Sequence, residues 1–225
     1  MVNPIENYLL LKDEVEKINK DAKIVVVTKY LSSVDYIKEL NKLGVVDFAE
    51  NYAQELQKKS EELKDLEINW HFIGHLQRNK VKKVVPISFF IQSLDSVELA
   101  KKINEEALKL NKVQRCLLEL KVSEEKTKFG IELQEIHKVL QDIISFNLRN
   151  IDIEGLMVMA PYFDNPELTR PYFKKAYEIF CDIKKNFSKE LKNFNILSMG
   201  MSNDYRIALE EGSNMIRIGS LLFNN

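Results

Sequence analysis

Cysteine is nearly absent from this chain, neither sign of charge is in excess, and no hydrophobic run is long. The two cysteines, Cys116 and Cys181, give neither a disulfide framework nor metal-ligand spacing, and both read as buried free thiols. With 33 basic and 34 acidic side chains the formal charge is -1, so nothing in the balance calls for nucleic acid or a membrane surface. No apolar stretch approaches the roughly 18 residues of a spanning helix, and the start, Met1-Val2-Asn3-Pro4, lacks a basic leader region. A cytosolic location is therefore expected. No Pro/Gly/Ser-rich linker divides the chain, and residues 1–225 read as a single domain.

What is present is a repeat of buried strands and amphipathic helices. Ile24-Val25-Val26-Val27-Thr28-Lys29 reads as a central strand of a parallel sheet, buried on both faces and ending at Lys29. Alternation puts Val25, Val27 and Lys29 on one face, so an amine would stand at the carboxyl end of a strand, where α/β folds hold their chemistry. The alternative is that Lys29 turns out to solvent. Seven further strand-like runs follow at 46–51, 69–74, 89–94, 115–122, 151–160, 195–199 and 215–219. Helical patterns separate them, one with Ser32 as its cap and Gly44 as its stop, another opened by Asp95-Ser96. Eight such units suit a closed TIM-type (β/α)8 barrel. An extra N-terminal helix, capped by Asn3 with Pro4 in its first turn, is expected to fill the place of a missing eighth helix.

In a barrel the residues to examine are those where strands end: Lys29, Asn51, Gly74 and His75, Ser93, residues 123–130, Met159 and Ala160, residues 200–202, and Gly219-Ser220. The loops after the last two strands commonly form a phosphate site. Here Ser198-Met199-Gly200-Met201-Ser202 carries small residues, with Ser202 placed to cap the next helix, and the final strand ends in Gly219-Ser220. Glycine and serine are also ordinary turn residues. Arg217 shares the strand face of Gly219 and needs either a ligand or an internal partner to balance its burial. His71 and His75, about 13 Å apart along a strand, are too far from each other to share a metal ion. Arg78, Lys80, Lys82 and Lys83 read as a solvated face.

A lysine ending the first strand, a phosphate site at the last two and an arginine on the eighth form a recognisable set. The chain resembles the pyridoxal 5′-phosphate (PLP) homeostasis proteins, single-domain relatives of the alanine racemase barrel. The matching stretches are Val27-Thr28-Lys29, Phe48-Ala49-Glu50-Asn51-Tyr52, the run from Trp70 to Lys80, Lys128-Phe129-Gly130, Gly155-Leu156-Met157, Leu197 to Ser202, and Ile216 to Ser220. The resemblance implies that Lys29 forms an aldimine with the cofactor, Asn51 approaches the ring oxygen, and Arg217 faces the pyridine nitrogen. It also implies that Met201 lies beside the cofactor and that Ser202, Gly219 and Ser220 hold its phosphate. The family usually has glycine where Ala49 stands, which bears on Asn51, and a phenylalanine-glycine ending where this chain has Phe223-Asn224-Asn225.

An arginine at the pyridine nitrogen weakens the ring as an electron sink, and a racemase needs an acid/base group on each face, of which Lys29 supplies one. In the racemase the second comes from an added domain of a partner subunit, which this chain is expected to lack. The leading expectation is thus a monomeric carrier that limits free PLP and passes it to apo-enzymes. Two alternatives stand beside it: a racemase- or decarboxylase-type enzyme using His71, Tyr30 or Tyr52 as second base, and a Schiff-base aldolase acting on a sugar phosphate.

Overall fold

The computed structural model describes residues 3–29, 31, 33–123 and 129–223. The proposed cap Ser32, the residues Tyr30 and Lys128, and the ending Asn224-Asn225 lie outside them. In chain order the elements are α1 (Pro4–Ile18), β1 (Lys23–Val27), α2 (Asp35–Lys42), β2 (Asp47–Glu50), α3 (Ala53–Glu62), β3 (Asn69–Phe72), α4 (Val81–Val84) and β4 (Phe90–Leu94). There follow α5 (Val97–Lys109), β5 (Gln114–Lys121), β6 (Ile131–Glu132), α6 (Ile136–Ser145), β7 (Ile151–Val158), α7 (Arg170–Asn186), β8 (Ile196–Ser198), α8 (Tyr205–Glu210), β9 (Met215–Ile218) and α9 (Ser220–Phe223).

All strand pairings are parallel, in the order β4-β3-β2-β1-β9-β8-β7-β5, and β4 pairs β5 to close the ring. The expected eight-stranded barrel is therefore the architecture. Each principal strand is followed by a helix, as a parallel crossover requires. Strand β6 was not anticipated. It adds two residues to the outer end of β5, pairing Leu120 with Ile131 and Lys121 with Glu132, and Lys121 Nζ meets Glu132 Oε1 at 2.6 Å.

Burial follows from strands covered on both sides. Every residue of β4 is buried, and alternate residues of the barrel strands face two different cores. Val26, Phe48, Phe72, Ile91 and Leu118 pack outward under the helices, whereas Val25, Val27, Ala49, Phe90, Leu117, Met157 and Met215 fill the barrel interior. Full burial of each large apolar side chain contributes roughly 1.5–3 kcal/mol relative to exposure. Ala49 packs its methyl group in the interior beside Val27 and is accommodated there in an ordinary strand.

Local signals explain the element ends. Asn3 caps α1, its Oδ1 accepting from the N–H groups of Ile5 and Glu6 at 3.2 and 3.3 Å, and Ser96 caps α5 through Leu99 N–H. Helix α1 sits against the C-terminal turn, where Asn7 Nδ2 donates to Leu222 O at 3.1 Å. It thus neighbours the short helix α9, which the sequence patterns had not indicated. Three other expectations are corrected. Strand β1 ends at Val27, so Lys29 lies two residues past it in a turn, because Thr28 already directs its side chain and carbonyl to other partners. Cys116 is buried but Cys181 is exposed, since Phe173, Ala176, Ile179, Phe180 and Ile183 form the buried face of α7. Ser202 does not cap α8: Asp204 is the residue at that position, and the Ser202 hydroxyl is engaged elsewhere. Among the described residues no helix is long and apolar enough to cross a membrane.

Candidate functional site

The carboxyl ends of β1, β8 and β9 meet because β9 lies between the other two. Its register aligns Arg217 with Val25 and Ile218 with Val26, which carries Gly219 to the level of Val27. A Cβ on Gly219 would come within 3.1 Å of the Val27 carbonyl oxygen and 3.3 Å of Val27 Cβ, a tight fit that a side chain would enter only if β1 gave way by a few tenths of an ångström. Lys29, half-buried, follows two residues later. The turn after β9 and the lysine turn after β1 are thereby neighbours.

The loop after β8 is tied to the same place. Ser202 Oγ accepts from Leu221 N–H at 3.2 Å and, more weakly, from Gly219 N–H at 3.4 Å, which stitches the two loops together. Among the described residues its own hydroxyl hydrogen is not used and can be offered to a ligand. Met201 N–H donates to Asp204 Oδ1 at 2.6 Å, while the Met201 side chain is exposed at the rim, as is Ser220. Burial raises the pKa of Asp204 above the ordinary carboxylate value, although the Met201 N–H and the charge of Arg217 oppose this.

Arg217 is 3% exposed and points into the barrel. Nη1 donates to Ser198 O at 2.8 Å and to Ser198 Oγ at 2.7 Å, and Nη2 donates to Val158 O at 2.8 Å. Three of its five N–H groups are thus used among the described residues, and the guanidinium is locked in place with donors to spare. Burial lowers its pKa to about 10, against the pull of Asp204 and Glu119. Its anchor belongs to a longer chain. Ser198 Oγ donates to Gln92 Oε1 at 2.7 Å, Gln92 Nε2 donates to His71 Nδ1 at 2.8 Å, and His71 Nε2 meets Asp47 Oδ1 at 3.0 Å. Because the amide nitrogen can only donate, His71 is neutral at Nδ1 and carries its proton toward Asp47. Burial holds its pKa below the ordinary imidazole value even though Asp47 favours the charged form.

Other expected residues separate into groups. Asn51 follows β2, and its buried Oδ1 has no hydrogen-bond partner among the described residues. Its backbone is pressed against Gly74, where a Cβ would stand 2.0 Å from Asn51 O. The Oγ atoms of Ser93 and Ser123 are likewise buried and unpartnered among the described residues. His75 stands apart from His71, stacked on Phe129 with ring centroids 3.7 Å apart and 3.4 Å from Asp95 Oδ2. Arg78 and Lys82 are exposed, and Lys80 and Lys83 half-buried.

Sequence reasoning passed over Glu119 and Lys59. Glu119, 4% exposed on β5, has no partner for Oε2 among the described residues, and burial with the nearby Asp95 raises its pKa to about 7 despite Arg217. A carboxylate inside the run Cys116-Leu117-Leu118-Glu119-Leu120 was the signal. Lys59 is buried on α3 and gave none.

Comparison with known proteins shows what the chain as a whole is similar to. The family model described as the alanine racemase N-terminal domain matches residues 5–224. A pyridoxal phosphate homeostasis protein of Aquifex aeolicus is 42% identical over 189 residues, spanning 84% of this chain and 81% of the relative. The solved structure of PipY from Synechococcus elongatus PCC7942 with PLP bound superposes with a TM-score of 0.86 at 28% identity, over 99% of this chain and 100% of the other. An alanine racemase of Clostridium difficile 630 shares the fold at a TM-score of 0.69 and 22% identity, this chain covering 56% of it. On its residues, its barrel and these matches, the chain belongs to the alanine racemase N-terminal domain family, in the branch of the pyridoxal phosphate homeostasis proteins.

Proposed function

We infer that this protein holds PLP through Lys29 and serves in its homeostasis in the cytosol, as a monomeric carrier that passes the cofactor to apo-enzymes. The observation that carries the reading is the convergence, on three adjacent strands, of the Lys29 turn, the stitched Ser202–Gly219 loops and the locked Arg217. When bound, the cofactor supplies an aldehyde that condenses reversibly with a primary amine and releases water. Lys29 offers that amine. Asn51 Oδ1, without a partner among the described residues, offers an acceptor to a ring hydroxyl, and the N–H groups of Arg217 not used among those residues fit an unprotonated ring nitrogen. Ser202, Gly219 and Ser220 supply small donors for a phosphate, and Met201 gives apolar cover at the rim. The donor set thus suits each polar edge of the cofactor.

Carriage rather than turnover is favoured by how two of the second base candidates, His71 and Tyr52, are placed. Both ring nitrogens of His71 are engaged, by Asp47 and Gln92, and Tyr52 is 59% exposed. A fixed cation at the ring nitrogen also disfavours the protonated pyridinium on which carbanion stabilisation depends. Purified protein mixed with PLP is expected to be yellow and, after borohydride reduction, to carry the label on Lys29. A colourless, unlabelled product would sink the reading. Amino-acid racemisation that disappears in Lys29→Ala would make the protein an enzyme instead.

A further inference from the structure

The turn that carries Lys29 is held from outside the barrel. Lys59 belongs to α3 in the helical layer, yet its side chain is 4% exposed, and Nζ donates to Thr28 O at 2.8 Å and to Glu50 Oε1 at 2.6 Å. Thr28 Oγ1 donates to that same Oε1 at 2.6 Å, and Glu50 is fully buried. The Thr28 carbonyl also accepts from Leu31 N–H at 3.0 Å, closing the turn in which Lys29 is the second residue. Thr28 N–H donates to Ala49 O at 2.9 Å. Every polar group of the residue before Lys29 is therefore fixed.

A buried lysine–glutamate pair is a poor way to gain stability, because desolvating two charges costs about as much as their attraction returns and apolar residues of similar volume do as well. What an apolar pair cannot supply is a donor to the Thr28 carbonyl. We propose that Lys59 and Glu50 are positioning residues for Lys29: the pair clamps the Thr28 peptide to the end of β2 and so aims the Lys29 side chain at the loops after β8 and β9. The proposal rests on the reading of Lys29 as the amine that takes up PLP. Since Glu50 directly precedes Asn51, one clamp from α3 sets the direction of both residues. Displacing a reacting group by about 1 Å costs on the order of 100-fold, so a backbone clamp of this kind has leverage on uptake.

The test uses the full chain and PLP, read by visible absorbance, by borohydride-fixed label on the Lys29 peptide, and by thermal melting. In Glu50→Gln combined with Lys59→Met, both charges are replaced by neutral groups of similar size. This double variant is expected to melt near the unaltered protein yet bind PLP at least roughly tenfold more weakly and label Lys29 more slowly. Uptake at the unaltered level overturns the proposal and leaves the Lys29 assignment standing. Failure of the unaltered protein to label at Lys29 overturns that assignment itself, so the two failures are distinct. If the double variant does not fold, Glu50→Leu combined with Lys59→Met decides, since it removes the donor to the Thr28 carbonyl and leaves no charge buried. At least roughly tenfold weaker uptake is expected of it as well, and unchanged uptake overturns the proposal.

Discussion

Replacing Glu119 by glutamine should stabilise the protein, and do so only on the alkaline side. In the folded chain the Glu119 carboxyl has its pKa raised from the ordinary 4.5 to about 7, chiefly by burial and then by Asp95, with Arg217 opposing. Between those two values the folded state holds a proton that the unfolded state has released, so stability falls as pH rises through this window and levels off above it. At about 1.4 kcal/mol per pH unit, the displacement from 4.5 to about 7 corresponds to roughly 3 kcal/mol. Glutamine keeps the shape and never ionises. Urea unfolding of both proteins at closely spaced pH values should give equal stabilities near pH 4.5. Glu119→Gln should lead by up to roughly 3 kcal/mol at pH 8, with the slope m unchanged. A gap that does not vary with pH would refute the assignment of a carboxyl kept neutral by its surroundings.

Two further outcomes follow from named hydrogen bonds. Gln92→Leu leaves the His71 Nδ1 acceptor and the Ser198 hydroxyl without their shared partner in a buried site, a loss of roughly 2–4 kcal/mol by urea unfolding; a cost under about 1 kcal/mol would tell against the connected chain. Ser202→Ala removes the acceptor that joins the two loops, and PLP retention measured by dialysis should weaken about five- to tenfold while the melting temperature barely moves. Retention that does not change would exclude Ser202 from the anion cradle.

Much of this was legible in the residues, and the rest failed for identifiable reasons. Period-two alternation of Val25 and Val27 against Val26 located the inward face of β1, because side-chain alternation is a local property. The end of β1 was misjudged by two residues because Thr28 has strand-like chemistry. What ends the strand is its engagement with Glu50 and Lys59, which are 22 and 31 positions away and leave no local trace. Ser202 illustrates the same limit: a serine before a helix reads as a cap, and only the juxtaposition of β8 and β9 shows that its hydroxyl serves the other loop. Glu119 was passed over although a lone acid in an apolar strand was there to be noticed. Lys59 offered no such sign, since a lysine in a polar helix looks solvated until the helix is docked.

The hydrogen-bonded series from Asp47 through His71, Gln92 and Ser198 to Arg217 draws on β2, β3, β4, β8 and β9, and Arg217 adds the Val158 carbonyl of β7. The orientation of one guanidinium is thus a property of the closed ring as a whole. Neither half-barrel, expressed separately, would inherit a weakened version of the site: each would contain severed ends of the series, and ligand uptake should return only when the seams between β1 and β9 and between β4 and β5 are both sealed.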